Sequence, residues 1–312
     1  MERAFNVDFM VVGAQKCGTT SLAQMLSSHD AIVCCDKKEP MFFSSVDNWR
    51  EELSDYHALF KWREGALHYE ASTSYTCYPY HNRKIWEDLY AYNPDLKIIY
   101  IVRNPVDRIV SSYMHTYKRG YTDLGMERAL VEEPMLLDMT RYATQIRPFI
   151  EQFGADQVQI LFFEDLVRDR SIIMQQLASF LGIAMDGFPD MRSFHANRSV
   201  ENFKIHHKYD QPGIIMSGIR RYFPPLWKII TDNSGRSFKQ KPRLSPADQE
   251  MILYLLRKEI EELEEMTGRD LSGWRAIREK ETAGKQEDYR LTWYEAKVKL
   301  FSRIKRKVRK LR

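Results

Sequence analysis

The stretch F-M-V-V-G-A-Q-K-C-G-T-T-S-L, Phe9–Leu22, constrains the fold more than any other part of this chain. The run from Val7 to Gly13, apolar but for Asp8, lacks polar alternation, as a strand buried on both faces would, and it stops at a glycine-rich turn. Leu22, Met25 and Leu26 then recur at helical spacing, and Thr19, Thr20 and Ser21 are available to cap the first turn. A buried strand that feeds straight into a helix needs parallel partners and a covering layer. The pattern repeats along the chain. Short strands are expected at Ala31–Cys34 and Ala66–Glu70, and stronger ones at Lys97–Val102 and Val158–Phe163. Helices are expected over Pro105–Tyr117, Tyr142–Phe153, Ser171–Leu181 and Ser245–Thr267. This alternation predicts an α/β fold, a three-layer sandwich with a central, mostly parallel sheet and helices on both faces. Residues 183–243 break the rhythm with scattered Pro, Gly, Asn and aromatic residues.

Gly13 and Gly18 bracket four residues, which makes the turn P-loop-like, but Thr19 stands where a triphosphate loop carries its lysine. The nearest lysine is Lys16, inside the loop. A strand ending in such a turn presents several backbone N–H groups to one point, with the helix dipole added to them, and that geometry binds a phosphate-like anion. The candidate anion-binding residues are Gly13, Gln15, Lys16, Cys17, Gly18, Thr19 and Thr20. The plainer alternative is a glycine turn before a capped helix, with a surface lysine. A second candidate segment is Y-I-V-R-N-P-V-D-R-I-V-S-S-Y-M-H, Tyr100–His115. Arg103 falls at the carboxyl end of a buried strand, where ligands bind in open α/β sheets, and Ser111 lies about two helical turns on. The pair suits a second phosphate, unless Arg103 serves a surface ion pair with Asp107 or Asp95 and Ser111 only packs.

Together the two segments resemble the sulfotransferase family: V-V-G-A-Q-K-C-G-T-T-S-L its 5′-phosphosulfate loop, and R-N-P-V-D-R-I-V-S-S-Y its 3′-phosphate motif. L-F-F-E-D-L at 161–166, F-L-G-I at 180–183 and L-E-E-M-T-G-R-D-L-S-G-W at 263–274 are similar to the same family. The likeness covers roughly residues 7–274 and is closer to the heparan-sulfate and bacterial carbohydrate type than to the cytosolic small-molecule type. It implies 3′-phosphoadenosine 5′-phosphosulfate (PAPS) as co-substrate, 3′-phosphoadenosine 5′-phosphate (PAP) as product, no required metal, and a carbohydrate or glycolipid acceptor. In that type a K-E-x-x-F-F segment supplies a glutamate base, here Glu39 in K-E-P-M-F-F, with Lys16 acting on the bridging oxygen. Without the resemblance, Glu39 reads as a solvated charge in D-K-K-E, and His115 and His195 are fallback bases. The family often reads E-K-T-P-A-Y after the third strand; this chain has Glu70-Ala-Ser-Thr-Ser-Tyr75, so a second cation near the transferred group is missing or comes from elsewhere. Glu70 is retained, and its position suits orienting the acceptor. Adenine contacts are placed in 192–199, with Arg198 as an extra 3′-phosphate ligand.

Charge excludes one class of partner. The net +4 is uneven: residues 285–312 hold eleven basic and three acidic side chains, which leaves the body near −4 and gives nucleic-acid binding no support. That tail, in a division of 1–274 and 275–312, has Tyr294, Val298, Phe301, Ile304, Val308 and Leu311 on one face of a basic amphipathic helix. It suits either an anionic membrane surface or packing on the body or a second copy. Aromatics in 199–243, including Phe203, Tyr222 and Trp227, are either an acceptor wall or the core of a small helical cover. Cys17, Cys34, Cys35 and Cys77 have no metal-ligand spacing and read as reduced thiols, and no uncharged run approaches membrane-span length. A cytoplasmic location is expected, with the tail as a route to the inner face of a membrane.

Overall fold

The computed structural model describes residues 5–191 and 241–277. Arg198, His195, the stretch 192–199 expected to contact adenine, the aromatics up to Phe238 and the expected tail helix lie outside the described residues, as do all but three residues of the proposed 275–312 segment. The described residues fall into two compact units. The first holds residues up to 112, 138–191 and 255–275; the second holds 113–137, 241–254 and 276–277.

In the first unit, β1 (Phe9–Gly13), β2 (Ile32–Cys34), β3 (Leu67–Glu70), β4 (Lys97–Val102) and β5 (Val158–Phe162) form one sheet in the order β2-β3-β1-β4-β5. Every pairing is parallel, with Phe9 opposite Tyr69 on one side and Lys97 on the other. All of β1 and Ile98–Val102 of β4 are buried, so the two most apolar runs became the central strands. Because β1 lies between β3 and β4, the chain crosses from one half of the sheet to the other beside it, the usual place for a ligand in an open sheet.

The helices of this unit are α1 (Thr19–Leu26), α2 (Phe42–Ser45), α3 (Leu53–His57), α4 (Ile85–Tyr92) and the start of α5 (Pro105–Lys118). With α8 (Tyr142–Phe153), α9 (Phe163–Arg168), α10 (Arg170–Leu181) and α12 (Arg257–Thr267) they surround the sheet. On α8, Tyr142, Ile146, Phe149 and Phe153 recur at helical spacing and are buried, and the helix packs on α12. The second unit contains the end of α5, α6 (Met126–Glu132), α7 (Met135–Asp138), whose last residue joins the first unit, and most of α11 (Pro246–Leu255).

One reading needs correction. The single helix expected over Ser245–Thr267 is broken at Leu256, whose backbone leaves helical geometry (φ −99°, ψ 3°), so α11 and α12 are separate. The start at Ser245 holds: its Oγ accepts the Asp248 N–H at 3.1 Å and donates to the Asp248 carboxylate at 2.6 Å. No helix among the described residues is long and apolar enough to cross a membrane.

Candidate active site

All five strands point their carboxyl ends at the same edge of the sheet, so the segments leaving Gly13, Cys34, Glu70, Val102 and Phe162 emerge together. After β1 the backbone takes a left-handed turn at Lys16 (φ 71°) and another at Gly18 (φ 94°) before α1 begins. The first intrahelical bond runs from Leu22 N–H to the Gly18 carbonyl, which leaves the N–H groups of the preceding turn without an intrahelical acceptor. That is a donor set for an anion. Thr20 is exposed and Thr19 buried. A side chain at Gly18 would place its Cβ 2.6 Å from the Phe163 ring, and one at Gly13 would meet Thr76 Oγ1. The loop is thus clamped from two sides.

A buried cation holds it from below. Arg108 is fully enclosed; its Nε donates to the Gln15 carbonyl at 3.1 Å and its Nη1 to Thr140 Oγ1 at 3.1 Å. Cys17, expected among the anion contacts, instead turns its thiol inward to the Tyr142 hydroxyl at 3.6 Å and gives its N–H to the Ala14 carbonyl. Burial pushes that thiol up to about 11 although Arg108 and Arg103 pull it down, so it stays protonated. Its role is to seat the loop.

The R-N-P-V-D-R segment resolves into separate tasks. Asn104 caps α5, its Oδ1 accepting N–H groups of Val106 and Asp107 at 3.1 and 3.3 Å, and Pro105 occupies the first helical position. Arg103 is left at the strand end, its guanidinium 4.5 Å over the Phe163 ring and its carbonyl held by the Tyr142 hydroxyl. Glu164 accepts the Asn104 N–H at 2.8 Å. Phe163 therefore touches both the loop glycine and the strand-end arginine, joining the two halves of the candidate anion site. Of the serine pair, Ser112 is buried and Ser111 is half-buried, which leaves Ser111 as the one able to meet a ligand. His115 lies one turn further along α5, in the part belonging to the second unit.

The segment after β2 carries Glu39. Among the described residues, three other than glycine adopt positive φ: Lys16, Glu39 (55°) and Met41 (58°). Such conformations cost of order 1–3 kcal/mol each and persist only where surrounding bonds enforce them. Met41 N–H donates to Ser72 Oγ at 2.9 Å, its carbonyl accepts from Ser44 Oγ at 2.9 Å, and Phe43 N–H reaches the Tyr75 hydroxyl at 3.4 Å. Glu39 is a third exposed; Thr73 Oγ1 donates to its Oε2 at 3.4 Å, and Lys38 Nζ lies 3.8 Å from its Oε1.

Glu70 sits behind this segment, not in front of it. It is fully buried and accepts from Tyr56 (2.9 Å), Tyr75 (2.5 Å) and Ser72 (2.5 Å). The expectation that Glu70 orients an acceptor is revised, since a carboxylate enclosed by three hydroxyls has no face left for one. Burial raises its affinity for a proton, the hydroxyl donors oppose that, and the charge of Glu39 adds to it. Ser72 and Tyr75 thus relay Glu70 to the backbone at Met41 and Phe43.

A model of the sulfotransferase domain matches residues 6–215. The chain belongs to the sulfotransferase domain family. Among relatives of this sulfotransferase-family chain, heparan sulfate glucosamine 3-O-sulfotransferase 6 of Homo sapiens is 26% identical over 253 residues, 73% of this chain and 72% of that protein. The 3-O-sulfotransferase 3A1 of Mus musculus is 25% identical over 184 residues, 56% of this chain, which spans 45% of that relative's length. A crystal structure of a sulfotransferase from Alicyclobacillus acidocaldarius superposes with a TM-score of 0.64 at 26% identity, covering 88% of this chain and all of that one. The parallel sheet with helices around it is the architecture the sequence pattern predicts.

Proposed function

We propose that this chain transfers a sulfuryl group from PAPS to a hydroxyl or amine of a carbohydrate or glycolipid acceptor. The observation that carries the proposal is the convergence at one sheet edge of an anion loop with a strained lysine, an arginine and serine suited to a second anion, and a strained glutamate. Two separate anion sites suit a nucleotide phosphorylated at both ends of its ribose. The names of the relatives, which act on heparan sulfate, support the acceptor class.

In this reading the N–H groups of the Gly18 turn, with Thr19 and Thr20, hold the 5′-phosphate, and Arg103 with Ser111 holds the 3′-phosphate, joined by Arg198. Lys16 neutralises the charge that grows on the bridging oxygen as its bond to sulfur breaks. Glu39 takes the proton of the acceptor as the new bond to sulfur forms, and the electron pair of the broken bond leaves on the phosphate of PAP. A P-loop kinase reading is disfavoured, because Thr19 occupies the position of the triphosphate lysine.

Thermal-shift titration separates these readings: PAP is expected to stabilise the chain, and stabilisation by ATP with Mg²⁺ alone would count against sulfuryl transfer. Glu39→Gln tests the base. Labelled-sulfate transfer is expected to drop by roughly 10²–10⁴-fold, the scale of a lost general base, with PAP binding unchanged. Wild-type transfer in that variant removes Glu39 from the mechanism.

A further inference from the structure

Lys38 is the feature that the proposed mechanism leaves without a role. It follows the carboxyl end of β2, and its Nζ crosses to the anion loop to donate to Thr20 Oγ1 at 2.8 Å. The same nitrogen stands 3.8 Å from Glu39 Oε1. One ammonium therefore touches the hydroxyl placed on the donor phosphate and lies beside the carboxylate placed on the acceptor proton. A group passing from donor to acceptor must travel between those two side chains. The end of the neighbouring strand β3 supplies no cation, since position 71 is a buried alanine.

We propose that Lys38 is a catalytic cation that contacts the oxygens of the transferring sulfuryl group. The inference rests on the donor reading above. An ammonium carries three donors; Thr20 takes one and Glu39 lies near enough to attract a second, which leaves one for a ligand oxygen. The side chain is 57% exposed, so it has no fold-stabilising burial to lose and is reachable by ligand. As a mere exposed ion pair it would add little to stability and nothing to ligand discrimination.

PAPS and PAP differ by the sulfuryl group alone, which makes the pair a selective probe that needs no known acceptor. Isothermal titration of the full chain, its Lys38→Ala variant and its Lys38→Arg variant with each nucleotide tests the assignment. Lys38→Ala is expected to weaken PAPS by roughly ten- to a hundredfold, the scale of a hydrogen bond between charged groups, and PAP by less than about threefold. Lys38→Arg, which keeps the charge, is expected to restore most of the PAPS affinity. An equal loss for both nucleotides makes Lys38 a phosphate ligand and overturns the proposal, and so does no loss for either. If the wild-type chain binds neither nucleotide, the donor reading itself falls and takes this inference with it. If the wild type binds both and Lys38→Ala leaves their ratio unchanged, only the Lys38 role is lost.

Discussion

The two sides of the candidate site are held from behind by groups of opposite character, a buried guanidinium and a buried carboxyl. Under the donor loop lies Arg108, a buried cation that bonds directly to the Gln15 carbonyl. Behind the Glu39 segment lies Glu70, a buried carboxyl that reaches its backbone through Ser72 and Tyr75. The loop must stay electropositive to receive an anion, so a cation beneath it helps, and the direct bond leaves it one geometry. For Glu39 to serve as the proposed base its carboxylate charge must be tolerated, and a second carboxylate close by is unfavourable. Three hydroxyl donors, Tyr56, Tyr75 and Ser72, offset the burial of Glu70, while the charge of Glu39 adds to its affinity for a proton. One side is thus anchored in a single step and the other through a relay, and the two should fail differently when their anchors are removed.

The largest effect is expected from Arg108→Met, which keeps the bulk and removes the donors. The Gln15 carbonyl loses its partner beneath the loop, at a cost of roughly 3 kcal/mol in urea unfolding. Because the loop then relaxes, PAP affinity is expected to fall about a hundredfold, the scale of a small misplacement of binding groups. A variant that unfolds more easily but binds PAP as the wild type does would show that Phe163 and Tyr142 hold the loop without Arg108.

Glu70→Gln probes the relay and is expected to cost less. Two of the three hydroxyl bonds can persist on an amide, so a loss of about 1–2 kcal/mol is expected. Transfer activity should drop about tenfold through a mispositioned Glu39, with PAP affinity unchanged. Stability supplies an independent readout, because the Glu70 proton affinity is raised in the fold. A raised carboxyl contributes stability that is fully present below the ordinary glutamate range and is lost as pH rises through the folded value. The advantage of wild type over Glu70→Gln should therefore shrink as pH climbs from the acid side. A difference independent of pH would mean that Glu70 does not titrate as its burial requires.

The same contrast explains which parts of the molecule could be read from its residues. Lys97–Val102 and Tyr142–Phe153 were legible to the residue, since an unbroken apolar run and an apolar stripe at helical spacing are direct consequences of burial. The break at Leu256 was not, because neither glycine nor proline marks it. Among the candidate site residues, Lys16 and Gly18 stood out through the turn they form. Arg108 did not, because an arginine on a helix reads as solvated unless its partners are known, and Gln15 lies far from it in sequence. Lys38 was hidden for the same reason, as one charge within D-K-K-E. Only its bond to Thr20 distinguishes it from its neighbours.

The smallest effect should come from a third anchor, away from both halves. Arg269, in T-G-R-D-L, pairs with Asp165 of F-F-E-D-L through two guanidinium nitrogens and lies 4.0 Å over the Phe162 ring. This clasp holds the first turn of α9 at Asp165, two residues beyond the Phe163 that lies against Arg103 and Gly18. The Arg269 bond keeps the Asp165 carboxyl below its ordinary range. A lowered carboxyl contributes stability above the ordinary aspartate range that is lost as pH falls through its folded value. Arg269→Ala is therefore expected to cost about 1 kcal/mol near neutral pH, a loss that fades in acid, because the pair is partly exposed and screened. PAP affinity should stay within about threefold of wild type, since Phe163 keeps its own contacts. If Arg269→Ala instead weakened PAP as severely as Arg108→Met, the donor side would not be anchored in one step. Its rigidity would then run through the β5 turn, and the contrast between a direct cationic anchor and a relayed carboxyl one would have to be replaced by two relays.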